Sequence, residues 1–323
     1  MKPFIIHSHT WCWIACIWLL LIGCERPEID FANRCRDIPI SNHYHGYEGI
    51  TDPTWYVMAP GSQNPLNPCQ FTGMRYDTPT GSYTALFDIE HRTVEVLADG
   101  SSGASWSVDN WIAFNRPDGH IWLTRPDGSQ MQRLTQVSQN YYPKWSPGGD
   151  SLIFMSRRDQ EVGSAFLWNL ATNELEALSF PITSNWDWSP KGDQVVVSQY
   201  LNSRPDRTCI FDLSSGELLR CIEGLESRAG VVWNRYDHQE IYLSNAEGVF
   251  RFRLDSGELV QLLEGCESRR WHIVGVLPDD RLVCHLLERK VIEKDLKLRH
   301  YHRHCLVSPE GEVLEEIIFE AVE

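Results

Sequence analysis

The sequence predicts an all-β fold, a six-bladed β-propeller of four-stranded antiparallel blades. Three observations carry that expectation. A tryptophan-led turn recurs at a near-constant interval, short apolar runs alternate with polar turns containing glycine, and helical periodicity is almost absent.

The recurrent turn is clearest in the middle of the chain. Trp145-Ser146-Pro147-Gly148-Gly149-Asp150 precedes the apolar run Leu152 to Met155, and Trp188-Ser189-Pro190-Lys191-Gly192-Asp193 precedes Val195 to Val197. Trp106-Ser107-Val108-Asp109 leads into Trp111 to Phe114, and Trp233-Asn234-Arg235-Tyr236-Asp237 into Ile241 to Leu243. The tryptophans at 106, 145, 188 and 233 are separated by 39, 43 and 45 residues, close to the ~40–45 residues of a four-stranded blade. Each unit then closes with a hairpin: Ile121 to Thr124 and Met131 to Leu134 around Pro126-Asp127-Gly128, Cys209 to Leu213 and Leu218 to Ile222 around Ser215-Gly216, Val249 to Leu254 and Leu259 to Leu263 around Ser256-Gly257.

Two fainter units flank these four. Tyr56-Val57-Met58, Tyr83 to Ile89 and Val94 to Leu97 make a first blade. Pro278-Asp279-Asp280, Leu282-Val283, Cys305 to Val307 and Val313 to Phe319 make a last one. The total is six, with five or seven as alternatives, and Val291 to Leu298 reads as a short helix in a blade-six loop. Of the 13 tryptophans, most are expected to wedge between blades, where a large ring buries well. Trp122, Trp168 and Trp186 are the ones singled out for surface roles.

The N-terminus is a separate matter. Lys2 opens a short polar region, the apolar run Trp11 to Ile22 follows, and Gly23-Cys24 ends it before Glu25-Arg26-Pro27. The run is shorter than the ~20 residues a spanning helix needs and reads as a secretory signal. Leu21-Ile22-Gly23-Cys24 resembles the bacterial lipobox, which implies cleavage after Gly23 and acylation of Cys24. The resulting division is a lipoprotein signal peptide over 1–23, a lipid-anchored tether over 24–49 and the propeller over 50–323. A plain membrane anchor and ordinary signal cleavage are the alternatives. Once the signal is gone, Cys35, Cys69, Cys209, Cys221, Cys266, Cys284 and Cys305 remain beside Cys24, and export makes disulfides possible. Cys209 and Cys221 flank the turn Ser214-Ser215-Gly216 symmetrically, so a hairpin sets them opposite each other. Cys35 with Cys69 is a second suggestion.

The stretch Tyr142-Pro143-Lys144-Trp145-Ser146-Pro147-Gly148-Gly149, running on through Ile153 to Asp159, resembles the repeat of TolB-type propellers (PD40, WD40-like), and Leu134-Thr135 matches that family's blade end. The resemblance spans roughly residues 50 to 320 and implies the fold more than the function. Gly148 and Lys191 stand where the family has a turn aspartate. Only about 25 residues separate Cys24 from blade one, so the α/β domain that precedes the TolB propeller has no counterpart, and the likeness does not imply a place in the Tol-Pal system.

A net charge of −15 excludes a nucleic-acid partner, which needs a basic face, and leaves membrane attachment to the lipid. No Gly-x-Ser-x-Gly, P-loop or His-Glu-x-x-His occurs, and no Cys-x-x-Cys. His300, His302 and His304 alternate in Arg-His-Tyr-His-Arg-His, so on a strand they share one face and form a candidate metal set. His43 and His45, near blade one, would approach them in a closed ring. Arg299 and Arg303 oppose a cation there. No cofactor is otherwise expected. The functional reading is therefore a non-enzymatic protein-binding or scaffold module, lipid-anchored in the cell envelope at the outer membrane facing the periplasm. Its alternative is a carbohydrate-active, lyase-like or glycan-binding propeller lipoprotein that uses the histidines.

Overall fold

The computed structural model describes residues 54–77, 81–100, 103–137, 139–157, 164–180, 182, 185–199, 207–225, 230–292 and 297–322. The expected signal peptide, Cys24, the tether, Cys35, His43 and His45 lie outside the described residues. Among the described residues every regular element is a strand.

Six antiparallel four-stranded sheets follow one another along the chain. Blade 1 holds β1 (Thr54–Gln63), β2 (Gln70–Asp77), β3 (Gly81–Asp88) and β4 (Thr93–Asp99). Blade 2 holds β5 (Ala104–Trp106), β6 (Ile112–Asn115), β7 (Ile121–Thr124) and β8 (Gln132–Arg133). Blade 3 holds β9 (Asn140–Trp145), β10 (Ser151–Ser156), β11 (Ser164–Asn169) and β12 (Glu174–Ala177). Blade 4 holds β13 (Trp186–Trp188), β14 (Gln194–Gln199), β15 (Arg207–Asp212) and β16 (Leu218–Ile222). Blade 5 holds β17 (Gly230–Trp233), β18 (Glu240–Asn245), β19 (Gly248–Arg253) and β20 (Leu259–Glu264). Blade 6 holds β21 (Arg269–Val276), β22 (Leu282–Ile292), β23 (Lys297–Val307) and β24 (Val313–Ile317). A last strand, β25 (Glu320–Val322), leaves blade 6 and pairs in parallel with β4, making blade 1 five-stranded.

The first strand of each blade is innermost. Ala104–Trp106 and Trp186–Trp188 are buried throughout, whereas the fourth strands β8 and β12 are exposed throughout. The apolar core is split into six clusters, one at each blade-to-blade seam, including blade 6 against blade 1. Six seams for six blades make a closed ring. The inner strands face a neighbour on both sides, which explains their unbroken apolar runs. On β14, Val195 and Val197 pack toward blade 3 while Val196 packs toward blade 5.

The tryptophan-led turn has a physical basis. In blade 3 the Ser146 hydroxyl donates to Asp150 Oδ1 at 2.9 Å and accepts the Ser151 amide at 3.1 Å. Ser189, Asp193 and Gln194 repeat this in blade 4 at 2.8 and 3.0 Å. The residue four places after the inner-strand end takes positive φ in four blades: Asn110 (60°), Gly149 (77°), Gly192 (75°) and Asp280 (65°). Glycine meets that demand without a Cβ, and Asn and Asp tolerate it.

Several expectations need correcting. The segment Val291 to Leu298 is no helix: Val291 pairs with Leu298 and Ile292 with Lys297, so β22 and β23 form an 11-residue hairpin. Its β-branched and alternating residues suit a strand. Blade 1 contains β2, which the sequence hides because Gly73 interrupts its apolar run. A Cβ there would strike the Val57 carbonyl oxygen and Met58 Cα where β1 bulges. The blade-6 run to Phe319 ends at Ile317, because the chain there crosses to blade 1. Trp186 has no surface role, being 0% exposed in the blade 3–blade 4 seam. Trp122 and Trp168 are partly buried, and their ring N–H groups donate to Asp118 and Asn173 in adjoining turns.

Cys209 and Cys221 are register partners on β15 and β16 and are joined by a disulfide. Cys69 carries a free thiol. Cross-linking across 12 positions restricts the unfolded chain, so Cys209→Ala with Cys221→Ala should cost about 2–3 kcal/mol in denaturant unfolding. An unchanged midpoint would exclude a stabilising bond.

Candidate functional site

The four repeat tryptophans, Trp106, Trp145, Trp188 and Trp233, converge from blades 2 to 5 on one mouth of the central channel, where they border a cavity of about 190 Å³. They are only 4–6% exposed, so they line the cavity without offering an open aromatic platform. Two further positions of the repeat reach the same cavity. The residue before the tryptophan contributes Ser105, Lys144 and Asp187 in blades 2, 3 and 4. The residue two places after contributes Val108, Pro147, Pro190 and Arg235.

The position before the tryptophan ties neighbouring blades together. Ser105 Oγ accepts the Trp145 amide at 3.0 Å, joining blades 2 and 3. Asp187 Oδ2 accepts the Trp233 amide at 3.0 Å, joining blades 4 and 5. Lys144 donates to the Trp186 carbonyl at 2.6 Å and to Asp187 Oδ1 at 3.2 Å, joining blades 3 and 4. Its ammonium also lies 5.5 Å from the centre of the Trp186 ring. Gly61, in the irregular end of β1, has its back against this pair: a Cβ there would sit 2.7 Å from Lys144 Nζ and 3.0 Å from Asp187 Oδ1. Blade 1 thus supplies the floor of the funnel.

Arg235 occupies the position that proline holds in blades 3 and 4. An Asx turn carries it: Asn234 Oδ1 accepts the Tyr236 amide at 2.9 Å, and Asn234 Nδ2 donates to buried Glu240 Oε2 at 3.2 Å. The Tyr242 hydroxyl and Arg253 hold Glu240 in turn, each at 3.0 Å. Burial, then the charge of Glu240 and its hydrogen bond, raise the Tyr242 pKa, so this hydroxyl stays a donor. Arg235 itself is exposed to solvent and lines the concavity. The protein atoms around it lower its guanidinium pKa, and the charge of Asp187 works against that. No hydrogen bond or ion pair joins it to another described residue.

A larger cavity, about 420 Å³, lies at the blade 1–blade 2 seam beside Trp106 and Asn110. Its Asp88 and Asp127 accept amides of their own turns, from Glu90 and His91 and from Ser129. That accounts for two of its acids structurally, and the funnel is the stronger candidate.

His300, His302 and His304 do share one face of β23, and two histidines not singled out from sequence join them. His272, His285 and His304 are successive register partners across β21, β22 and β23. His285 Nε2 lies 3.0 Å from His302 Nδ1, and the Met58 amide of blade 1 donates to His304 Nε2 at 3.3 Å. Phe87 and Phe319 pack on the His304 ring. Burial pushes His304 down to about 3 and His302 to about 4, with the adjacent imidazole adding to each; burial also lowers His285 strongly. Burial and the charge of Arg270 lower His272, and burial and Arg289 lower His300. These rings are neutral at pH 7 and pack the ring-closing seam. Among the described residues no three His, Cys, Asp or Glu side chains are disposed to hold a metal ion.

A mirror in the sequence marks this seam: Cys284-His285 on β22 faces His304-Cys305 on β23. That palindrome, centred on a hairpin, was the signal for His285. The signal for Lys144, Asp187 and Arg235 is their departure from the repeat at fixed offsets from tryptophan.

A closed ring of six four-stranded blades around a funnelled axis defines a six-bladed β-propeller, and the fold is TolB-like. A 123-residue stretch is 28% identical to Tol-Pal system protein TolB of Alcanivorax borkumensis, covering 35% of this chain and 28% of that one. The chain thus matches little more than a quarter of that relative's length. A TolB structure from Agrobacterium tumefaciens superposes with a TM-score of 0.57 at 15% identity, over 72% of this chain and 86% of that one. TolB from Acinetobacter baumannii gives 0.57 at 14%, over 80% and 62%. No family model matches the chain.

Proposed function

We propose that the chain is a non-enzymatic binding module of the cell envelope that receives a protein partner at the funnel mouth. The observation that carries this reading is the funnel itself: a concave site in which Lys144 and Asp187 stand on inner strands tied by inter-blade hydrogen bonds and Arg235 stands on the turn after Trp233. Rigid scaffolds that present loops and a concavity are suited to recognition. The lining contains neither histidine nor cysteine, and Ser146 and Ser189 are committed to their turns. The geometry therefore supports binding and orienting more than bond-making. Likeness to TolB proteins supports an envelope setting, and the Gly23-Cys24 junction supports a lipid anchor at Cys24, holding the module at the outer membrane facing the periplasm.

Photo-crosslinking in intact cells tests the reading. A crosslinking residue at Tyr236, 45% exposed beside the funnel, should give a discrete protein adduct. The same residue at Leu175, 44% exposed on outer strand β12, should give none. Equal labelling from both positions, or none from Tyr236, would count against the funnel as the binding face.

A further inference from the structure

We propose that the funnel recognises a carboxylate side chain of an acidic peptide segment, with Arg235 as its charged partner. This deepens, and rests on, the reading of the funnel as a protein-binding site. The chain as a whole carries −15, which by itself favours a neutral or basic partner. The funnel reverses that sign locally. Its charged lining residues are Lys144, Arg235 and Asp187, two cations against one anion. Asp187 is already engaged twice, by Lys144 at 3.2 Å and by the Trp233 amide at 3.0 Å.

Arg235 is the member left with capacity. Its backbone is fixed by the Asn234 turn, and that turn is fixed by buried Glu240. Its guanidinium has no hydrogen-bonded or ionic partner among the described residues, and it lines the concavity while remaining open to solvent. A guanidinium so placed presents a planar fork of donors matched to a carboxylate. The cavity, about 190 Å³, admits a single side chain of aspartate or glutamate size. Acidic sugars bear the same group, but the four bordering tryptophans are only 4–6% exposed, so Tyr236, 45% exposed, is the one open aromatic face in a lining where a sugar chain would stack on several. The peptide is therefore the occupant the structure favours.

Four tryptophans border the cavity, so their fluorescence reports its occupation. The full chain is titrated with acetylated tetraglutamate, its tetraglutamine counterpart, and tetragalacturonate. The expected result is saturable change with tetraglutamate at an affinity at least tenfold above tetraglutamine, weakening as salt is raised. Arg235→Gln should erase the difference between the two peptides, with the far-ultraviolet spectrum and unfolding midpoint unchanged. Equal binding of the two peptides, a preference that survives Arg235→Gln, tighter binding of tetragalacturonate, or no binding at all would each overturn the proposal. The crosslink from Tyr236 separates the two claims: an adduct that persists undiminished in Arg235→Gln keeps the binding module and rejects the carboxylate.

Discussion

Lowering the pH from 7.5 to 5 is expected to lower the urea midpoint of this protein steeply, and His304→Gln should flatten that fall. The cause is the stack of neutral histidines where blade 6 meets blade 1. An imidazole in the unfolded chain takes up a proton near pH 6.5. In the folded ring His302 and His304 resist protonation down to about 4 and about 3, because burial and neighbouring imidazoles disfavour the charge. Between those limits the unfolded state binds more protons than the folded one, so stability falls as pH falls. The loss begins near 6.5, grows by up to about 1.4 kcal/mol per pH unit for each such ring, and levels off below the folded-state values. Two or three rings acting together remove several kcal/mol by pH 5, out of roughly 5–15 for a typical domain.

Protonation would also break a specific contact, since His304 Nε2 accepts the Met58 amide. Shrinking net negative charge acts the other way on acidification, so the variant is the informative comparison. His304→Gln offers an amide oxygen to the same N–H and does not titrate. A pH slope identical in wild type and variant would show that this ring is not the acid-sensitive element.

Asp187→Ala should cost about 3–5 kcal/mol, because breaking a buried pair leaves its partner uncompensated. Removing the carboxylate leaves the Trp233 amide without its acceptor and Lys144 with only the Trp186 carbonyl and ring beside it. Lys144→Met alone should also destabilise. The Lys144→Met, Asp187→Ala double variant should cost at least about 1 kcal/mol less than the sum of the two single variants, the mark of a coupled pair. Strict additivity, or a single-variant cost under about 1 kcal/mol, would mean that the pair does not hold the blades together.

The middle of the fold was legible because its blades repeat a turn whose chemistry is local. Ser, Asp and Gly in Trp145 to Asp150 each satisfy a demand of the turn itself, so the motif survives in the sequence. Blade 1 was faint because its strands answer to distant partners. Gly73 in β2 is set by the close approach of β1, and β1 bends to place Gly61 against Lys144 and Asp187. No window of sequence around Gly73 contains those reasons. The hairpin β22–β23 was misread near its tip because Val291 to Leu298 mixes apolar and charged residues at a spacing that either structure allows. The funnel charges were invisible for a related cause. Lys144 and Asp187 are 43 positions apart and become a pair only when two blades stand side by side. Arg235 was printed within the repeat, and its meaning depends on prolines filling the same place in blades 3 and 4.

The parallel strand β25 carries a consequence for how such a chain is made. Its first residue donates to the Arg92 carbonyl of blade 1 at 2.8 Å, and further ties across that seam join Arg92 to Glu315 and Met58 to His304, 246 positions later. A polypeptide delivered N-terminus first can form four seams before blade 6, which supplies one half of each of the last two, has arrived. Throughout that interval the flank of blade 1, with Phe71, Phe87 and Val94, waits uncovered beside an open strand edge. Such a surface pairs readily with the matching strand of another copy. Vectorial delivery therefore makes the arrival of the final strand the event that separates a closed monomer from a chain-exchanged assembly.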